Sequence, residues 1–328
     1  MEKSSFNYTM YNKIKENISC LIDYVKDYRQ LDRSLSDKFA LANLERQMLL
    51  LSHALEKGMS FKTKKANWGG GKCKNLCILT EKYINLSGTI SNQLILTINV
   101  LNSYLHDEFA CKDSDLVYKI NELKSQYVNL ISPELTGLKY VSEPPQFDVH
   151  IIEEFFNSRN SVRYFSKQPI TEFEILTASR FASCTPTACN RQSSKVYAFR
   201  DRESIRLILD NQLGDQGWCS NADTLFVITG IQTYFGSGYE RCQVYVDGGL
   251  FAMNFDYGLH LQHIGSCFKM YVRDHNREKE FKKLCNIPEN EIPIVLILAG
   301  HYQNEPIQSP KSHRFNVPTY LDGIEINK

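Results

Sequence analysis

No apolar run in this chain approaches the ~20 residues that a bilayer-spanning helix needs, so it does not read as an integral membrane protein. Its opening residues, MEKSSFNYTMYNKIKENISC, are polar and lack the apolar segment of an export signal, and the expectation is a soluble, cytoplasmic protein. Excess charge of one sign is also missing. With 38 Lys and Arg against 37 Asp and Glu the formal net charge is +1, which gives no overall pull toward nucleic acid or a membrane surface. Paired-cysteine signatures are absent as well: ten cysteines are scattered, and the nearest neighbours, Cys73/Cys77 and Cys184/Cys189, are not CxxC repeats. They read as reduced thiols, mostly buried as small hydrophobes, with no zinc site. The eight histidines form no HExxH, and His260 and His263 read as surface or packing residues. The WGGGKCK segment fails as a phosphate loop. Ala66 stands where the first glycine is required and Cys73 where a Ser or Thr should follow the lysine.

What is present suffices for one large or two ordinary domains: 328 residues, 42% of them hydrophobic. The pattern changes near Pro144-Pro145. Before it, apolar residues recur at helical spacing over 11–28, 37–57, 76–105 and 114–131, with Ser36 as an N-cap and Gly58 as a stop for the second run. Residues 62–74 are expected to be an irregular basic loop. After Pro145 the reading is mixed α and β, with short apolar strands at 196–199, 224–229 and 292–299. A helix over 172–182 carries Thr171 as cap with Glu174 at capping-box spacing. A long apolar helix over 242–263 aligns Val246, Leu250, Met253, Tyr257 and Leu261 on one stripe. Gly248 and Gly249 inside it each cost a helix about 1 kcal/mol, so they signal a close approach by another helix or by a ligand. It exits sharply at Ile264-Gly265-Ser266-Cys267 into a strand-like stretch at 268–272.

The most informative segment is 158–192, SRNSVRYFSKQPITEFEILTASRFASCTPTACNRQ. Arg159, Ser161 and Arg163 at i, i+2 and i+4 point the same way on an extended backbone and make a phosphate cradle, since guanidinium binds phosphate through a planar fork of donors. The alternative is ordinary solvated surface charge. Pro186, Thr187, Ala188, Asn190 and Gln192 then form a turn of small residues flanked by amides, able to bring backbone groups close to a flat ring and to meet its polar edge. A plain helix-to-strand turn uses the same residues. Backbone amides near Gly265 and Ser266 can meet a cofactor edge, and Lys311, His313 and Arg314 offer further cations, or else an exposed basic tail.

These pieces occur in the order SRNSVRYF, TPTACNRQ, DQGW, ADTLFVITG, VDGGLFAMNFDYGLHLQHIGSCF, IPENEIPIVLILAGHY and SPKSHRF, which resembles the FMN-dependent nitroreductase family over about half of the chain. The resemblance implies an α+β fold, a sandwich with an antiparallel sheet wrapped by helices, over 146–328, preceded by an all-helical region over 1–145. It implies a homodimer with FMN at the interface and NADH or NADPH as co-substrate. Arg159, Asn160, Ser161 and Arg163 would hold the FMN phosphate, ribityl chain and pyrimidine edge, although Asn160 replaces a common basic residue. Pro186, Thr187, Ala188, Asn190 and Gln192 would reach the isoalloxazine from the other subunit. Gly265 and Ser266 would give backbone contact near the reactive edge, and Arg314 with Lys311 would complete the phosphate site. Ser193-Ser194 departs from the frequent Pro-Trp. The substrate pocket would be bounded by residues 214–218, by 234–239 and by the N-terminal helices, with Trp218 or Tyr239 either stacking on the ring or packing in the core or at the rim.

The implied activity is a ping-pong transfer of electrons from NAD(P)H to a small organic acceptor, with no separate catalytic side chain. The variant motifs, with His53, Glu56, Lys57 and Gly58 as an H-x-x-E-K-G element, are similar to nitroreductase-like proteins associated with polysaccharide biosynthesis. Two alternatives stay open: another flavoenzyme on the same fold (an oxidase, an ene-type reductase or a dehalogenase), and a silent FMN-binding scaffold.

Overall fold

The computed structural model describes residues 2–212, 217, 219–273, 275–315 and 317–326. Helices come first: α1 Glu2–Ser34, α2 Ala40–Met59, α3 Gly70–Ser87, α4 Asn92–His106 and α5 Ser114–Gln126. The last four, α2 to α5, enclose a core of Met48, Leu55, Leu76, Leu94, Ile98, Leu101, Tyr104 and Ile120. Burying each such side chain stabilises the fold by about 1.5–3 kcal/mol. Among the described residues no helix is long and apolar enough to cross a membrane.

Several sequence expectations shift in this region. The run 76–105 is two helices, because Gly88 adopts φ +61 as the C-cap of α3 and Ser91 caps α4 by accepting a hydrogen bond from the Leu94 N–H. Residues 62–74 are not wholly irregular: Gly69, at φ +75, turns the chain, and Gly70 to Lys74 already belong to α3. Ser36 caps a single 3-10 turn before α2, but its hydroxyl donates to the Arg33 carbonyl and makes no cap bond. Gly58 does not end α2, which continues to Met59. A Cβ there would overlap the Trp68 ring, so this glycine is there for close approach and not as a stop.

An exposed coil over 137–148 leads into α6 Val149–Ser158, α7 Glu172–Ser183, β1 Ser194–Phe199, α8 Arg202–Asn211, β2 Thr224–Ile231, α9 Gln243–His260, β3 Ile264–Met270, α10 His275–Leu284 and β4 Glu291–His301. A two-stranded hairpin, β5 Tyr320–Leu321 and β6 Ile324–Glu325, follows. The main sheet is antiparallel, in the order β1-β2-β4-β3. Alternation sends Phe226, Ile228, Ile297 and Ala299 toward α7 and α9, and Leu225, Val227, Leu296 and Leu298 toward Ile205, Ile208 and Phe281 of α8 and α10. Helices on both faces explain why these strands read as continuous apolar runs. The Thr171 and Glu174 capping box of α7 is present. The third strand starts at Ile264, earlier than the 268–272 expected, because Gly265 and Ser266 already pair with Gly300 and Ala299.

The two parts share a core. Leu49 of α2 packs with Tyr234, Phe235, Val244 and Ile292. Above it the Tyr234 hydroxyl donates to Glu45 at 3.0 Å and accepts from Gln93 at 3.0 Å. Burial and the Glu45 charge push the Tyr234 phenol well above its usual range, so it stays protonated as that donor.

Candidate functional site

Helix α9 organises the candidate residues. Asp256, fully buried on it, accepts a short hydrogen bond from the Ser266 hydroxyl of β3, and its other oxygen lies 3.9 Å from Arg159. The extended segment after α6 docks on β3 as an added parallel bridge: Ser161 pairs with Ser266, and the Val162 N–H donates to the Ser266 carbonyl at 2.8 Å. Gly265 is required at this contact, since a Cβ would come within 2.9 Å of Val162. Arg163 Nη1 donates to the Ser161 carbonyl at 3.4 Å, and Ser309 donates to the same carbonyl at 3.1 Å. That bond brings the C-terminal segment to the cradle, with Lys311 and Arg314 exposed a few residues on. Asn160 is exposed and caps α6 through its Ser158 carbonyl contact at 2.9 Å.

Thus Arg159, Ser161, Arg163, Gly265 and Ser266 are drawn together, and Ser309 tethers the tail. Three participants escaped the sequence reading. Asp256 was hidden among the apolar residues of its helix; Cys267 at the helix exit and Ser309 at the start of SPKSHRF stand inside quoted motifs, but nothing marked them as site residues. Burial pushes the Asp256 carboxyl upward, while the Ser266 hydrogen bond and the charges of Arg159 and His260 pull it back. Burial likewise raises the Cys267 thiol, against the Arg163 charge and a Ser161 hydrogen bond. A carboxyl whose folded pKa is raised contributes full stability below the ordinary carboxylate range and loses it as pH rises through the folded pKa. Asp256→Asn is therefore expected to flatten the decline of stability from acid toward neutral pH. Denaturant midpoints measured across pH test this, and an unchanged slope would refute it.

The turn 186–192 forms a second cluster. Cys189, Asn190 and Gln192 have φ of 54, 53 and 48, a left-handed run that non-glycine residues seldom adopt and that costs of order 1–3 kcal/mol at each. The structure holds it from below. Arg191 is buried, donating to the Tyr234 carbonyl at 2.9 Å and pairing with Glu240, while its guanidinium lies 5.0 Å from the Phe235 ring centre. Asp247 of α9 accepts from the Ala188 N–H at 3.1 Å, and the Thr187 hydroxyl accepts from the Gln192 N–H at 3.0 Å. Pro186, Asn190 and Gln192 are left exposed, with Thr187 and Ala188 half-buried.

The two clusters do not meet within one chain. Asp247 and Asp256 are nine residues apart on α9, which places them on opposite faces and about 13 Å apart along the axis. The stripe of Val246, Leu250 and Leu261 faces outward, each about half exposed, while Val244, Phe255 and Leu259 face the sheet. Gly248 meets Ile294 of β4, whereas Gly249 faces open space. Helix α9 crosses α7 closely at Gly258, where a Cβ would come within 2.7 Å of the Ala178 backbone. His260 packs on Phe155 and bonds to the Ser158 hydroxyl at 2.8 Å, fastening α6 to α9.

Of the expected pocket walls, residues 214–216 and Trp218 lie outside the described residues. Tyr234 is buried in the shared core, and Tyr239 is 88% exposed. His53 and Glu56 lie on α2, where burial lowers the His53 pKa and raises that of Glu56.

Residues 157–216 match the model of the Nitroreductase family. No curated protein matches the chain. Among solved structures, a nitroreductase family protein of Streptococcus pneumoniae is similar at 18% identity and TM-score 0.43, covering 50% of this chain and 96% of that one. An FMN-dependent nitroreductase of Clostridium difficile is similar at 16% identity and TM-score 0.42, covering 50% of this chain and 99% of that one. A Parabacteroides distasonis protein put forward as an NADH dehydrogenase or NAD(P)H nitroreductase is similar at 16% identity and TM-score 0.45, covering 52% of this chain and 97% of that one.

Proposed function

We propose that this chain, whose residues 157–216 carry Nitroreductase-family sequence, is an FMN-dependent oxidoreductase that passes electrons from NADH or NADPH to a small organic acceptor in a ping-pong cycle. The observation that carries the reading is the convergence of Arg159, Ser161 and Arg163 on Gly265 and Ser266, with the Lys311 and Arg314 tail tied in by Ser309. The donor set fits a phosphorylated flavin: fork-shaped cations for phosphate, a hydroxyl between them, and a strand edge that only a glycine allows to approach so closely.

In this reading Arg159, Arg314 and Lys311 hold the phosphate, and Ser161 and Asn160 contact the ribityl chain. FMN, when bound, supplies the hydride chemistry. Arg163 places positive charge at the pyrimidine edge, where negative charge grows on reduction, and preorganised charge of this kind is the protein's main contribution. Asp256, hydrogen-bonded by Ser266, steadies Arg159 and the β3 edge. The turn 186–192 serves the ring from the other subunit of a homodimer. Its place on the far face of α9 and the outward apolar stripe of Val246, Leu250 and Leu261 support that arrangement. The division at 145/146 makes residues 1–145 an accessory helical domain, and the exposed coil over 137–148 suits such a boundary.

The test is the visible absorption spectrum of the purified protein before and after anaerobic NADH or NADPH, with the released cofactor identified. Bound FMN that bleaches is expected. A colourless protein that also fails to take up FMN would overturn the reading.

A further inference from the structure

A cleft of about 780 Å³ lies between the C-terminal half of α1, α10 and the loop before β4, away from the residues gathered around β3. Its size is that of a small-molecule site. Six basic side chains line it, Lys26, Arg29, Arg33, Lys279, Lys282 and Lys283, against two carboxylates, Glu278 and Glu289, among the described residues. The chain as a whole has a net charge of only +1, so this excess of four is a local concentration.

The two carboxylates are already engaged. Glu278 is buried and bonds to Lys282 at 2.7 Å and to Gln30 at 2.8 Å; burial pushes its carboxyl upward, but the charge and hydrogen bond of Lys282, the Arg273 charge and the Gln30 hydrogen bond together hold it below its usual range. Glu289 pairs with Lys38 at 2.5 Å, and that hydrogen bond lowers its pKa. Lys26 has Asp23 at 3.6 Å. Arg29, Arg33, Lys279 and Lys283 form no ion pair with any described carboxylate.

Spacing organises these cations. Lys26, Arg29 and Arg33 stand at i, i+3 and i+7 on α1, and Lys279, Lys282 and Lys283 at i, i+3 and i+4 on α10, so each set occupies one helix face and the two faces meet across the cleft. Cations near helix C-termini ordinarily answer the helix dipole. Two such termini supply roughly half a negative charge each, about one in total, which leaves an uncompensated charge of about three. Phe39 and Ile287 give the floor an apolar patch.

We infer that this cleft binds a small ligand carrying a diphosphate group, gripped between Arg29 and Arg33 of α1 and Lys279 and Lys283 of α10. Adjacent phosphates match two opposed cationic rows better than a single phosphate does, and Arg on one wall provides the forked contact.

The experiment is calorimetric titration of the full-length protein with inorganic diphosphate, with ADP, with inorganic phosphate and with single-stranded oligonucleotides of increasing length, at about 0.15 M ionic strength. The expected result is one diphosphate per chain, bound at least ~10-fold more tightly than phosphate and weakened at least ~10-fold by Arg33→Glu with Lys283→Glu. Lys13→Glu with Lys15→Glu, elsewhere on α1, should change nothing. Tighter binding of ADP than of diphosphate would add the Phe39 and Ile287 floor to the site; equal binding would confine recognition to the diphosphate. Arg29→Gln with Arg33→Gln should lower affinity with an unshifted melting curve, which separates loss of contact from loss of fold. Diphosphate binding should also persist in Arg159→Ala with Arg314→Ala, separating this cleft from the proposed flavin site. Equal affinity for phosphate and diphosphate, insensitivity to the Arg33 and Lys283 changes, or affinity that grows with oligonucleotide length would each overturn the inference.

Discussion

Protein carrying both Arg159→Ala and Arg314→Ala is expected to purify without flavin while keeping its helix content. Each guanidinium in the proposed site contributes charge-assisted hydrogen bonds to phosphate, about 1.5–3 kcal/mol apiece. Losing both removes about 3–6 kcal/mol, a weakening of roughly 10²–10⁴-fold. The fold should tolerate the change. Arg314 is exposed, and among the described residues Arg159 touches only one carboxylate, Asp256, at 3.9 Å. When Arg159 is gone, Asp256 loses its cation, but burial already favours the protonated carboxyl, so proton uptake limits the cost. Arg159→Lys keeps the charge and loses the fork, and should fall between the native protein and Arg159→Ala. The measurement is the ratio of flavin to protein absorbance after gel filtration, alongside far-ultraviolet circular dichroism. Full flavin occupancy in the double variant would remove both arginines from the site.

Much of this arrangement was legible because it rests on local chemistry. The α7 capping box needs only Thr171 and Glu174, and both of its bonds form. The apolar runs that became β1, β2 and β4 were readable because helices cover both faces of their sheet. What stayed illegible depends on partners distant in sequence. A glycine reports that something comes close without saying what: Gly58 read as a stop, yet it makes room for Trp68, and Gly248 makes room for Ile294. Gly258, where α9 crosses α7, gave no signal beyond its neighbours.

The site divides in the same way. Arg159, Ser161 and Arg163 could be singled out by spacing alone, but their attachment to β3 depends on Gly265 and on a bond from Ser309, 148 residues away. Arg191 lies inside the most conspicuous motif and turns inward as the anchor of the strained turn, packed under Tyr234 and Phe235. Sequence spacing cannot separate an inward arginine from its exposed neighbours Asn190 and Gln192, because the left-handed backbone at Cys189 and Asn190 sets their directions.

Glu291→Ala is expected to cause the largest loss of stability of any single substitution considered, about 3–5 kcal/mol. Glu291 opens β4, only 1% of its side chain is exposed, and it accepts from Lys195 at 2.5 Å, Tyr197 at 2.9 Å and Thr229 at 2.8 Å. One carboxylate thereby ties β1, β2 and β4 together at one end of the sheet. Truncation leaves a cavity and strands two donors. Lys195 is half exposed and can turn to water, but Thr229 is fully buried, and the Tyr197 phenol, whose pKa burial and the Glu291 charge push far above its ordinary value, remains a donor without an acceptor. Glu291→Gln keeps the shape and one acceptor oxygen, and should cost less than half as much. Glu291→Leu combined with Tyr197→Phe and Thr229→Val removes donors and acceptor together and should recover much of the loss, since an unpartnered polar group costs more than an absent one. Equilibrium denaturation of the four proteins decides the matter. If Glu291→Ala were no less stable than Glu291→Gln, the three donors would not be held by this carboxylate in solution. Glu291 lies eight residues along β4 from Ala299, the partner of Ser266, roughly 27 Å at strand rise. Flavin occupancy below the unfolding transition should therefore be unchanged, so that stability and cofactor binding respond to different ends of the same strand.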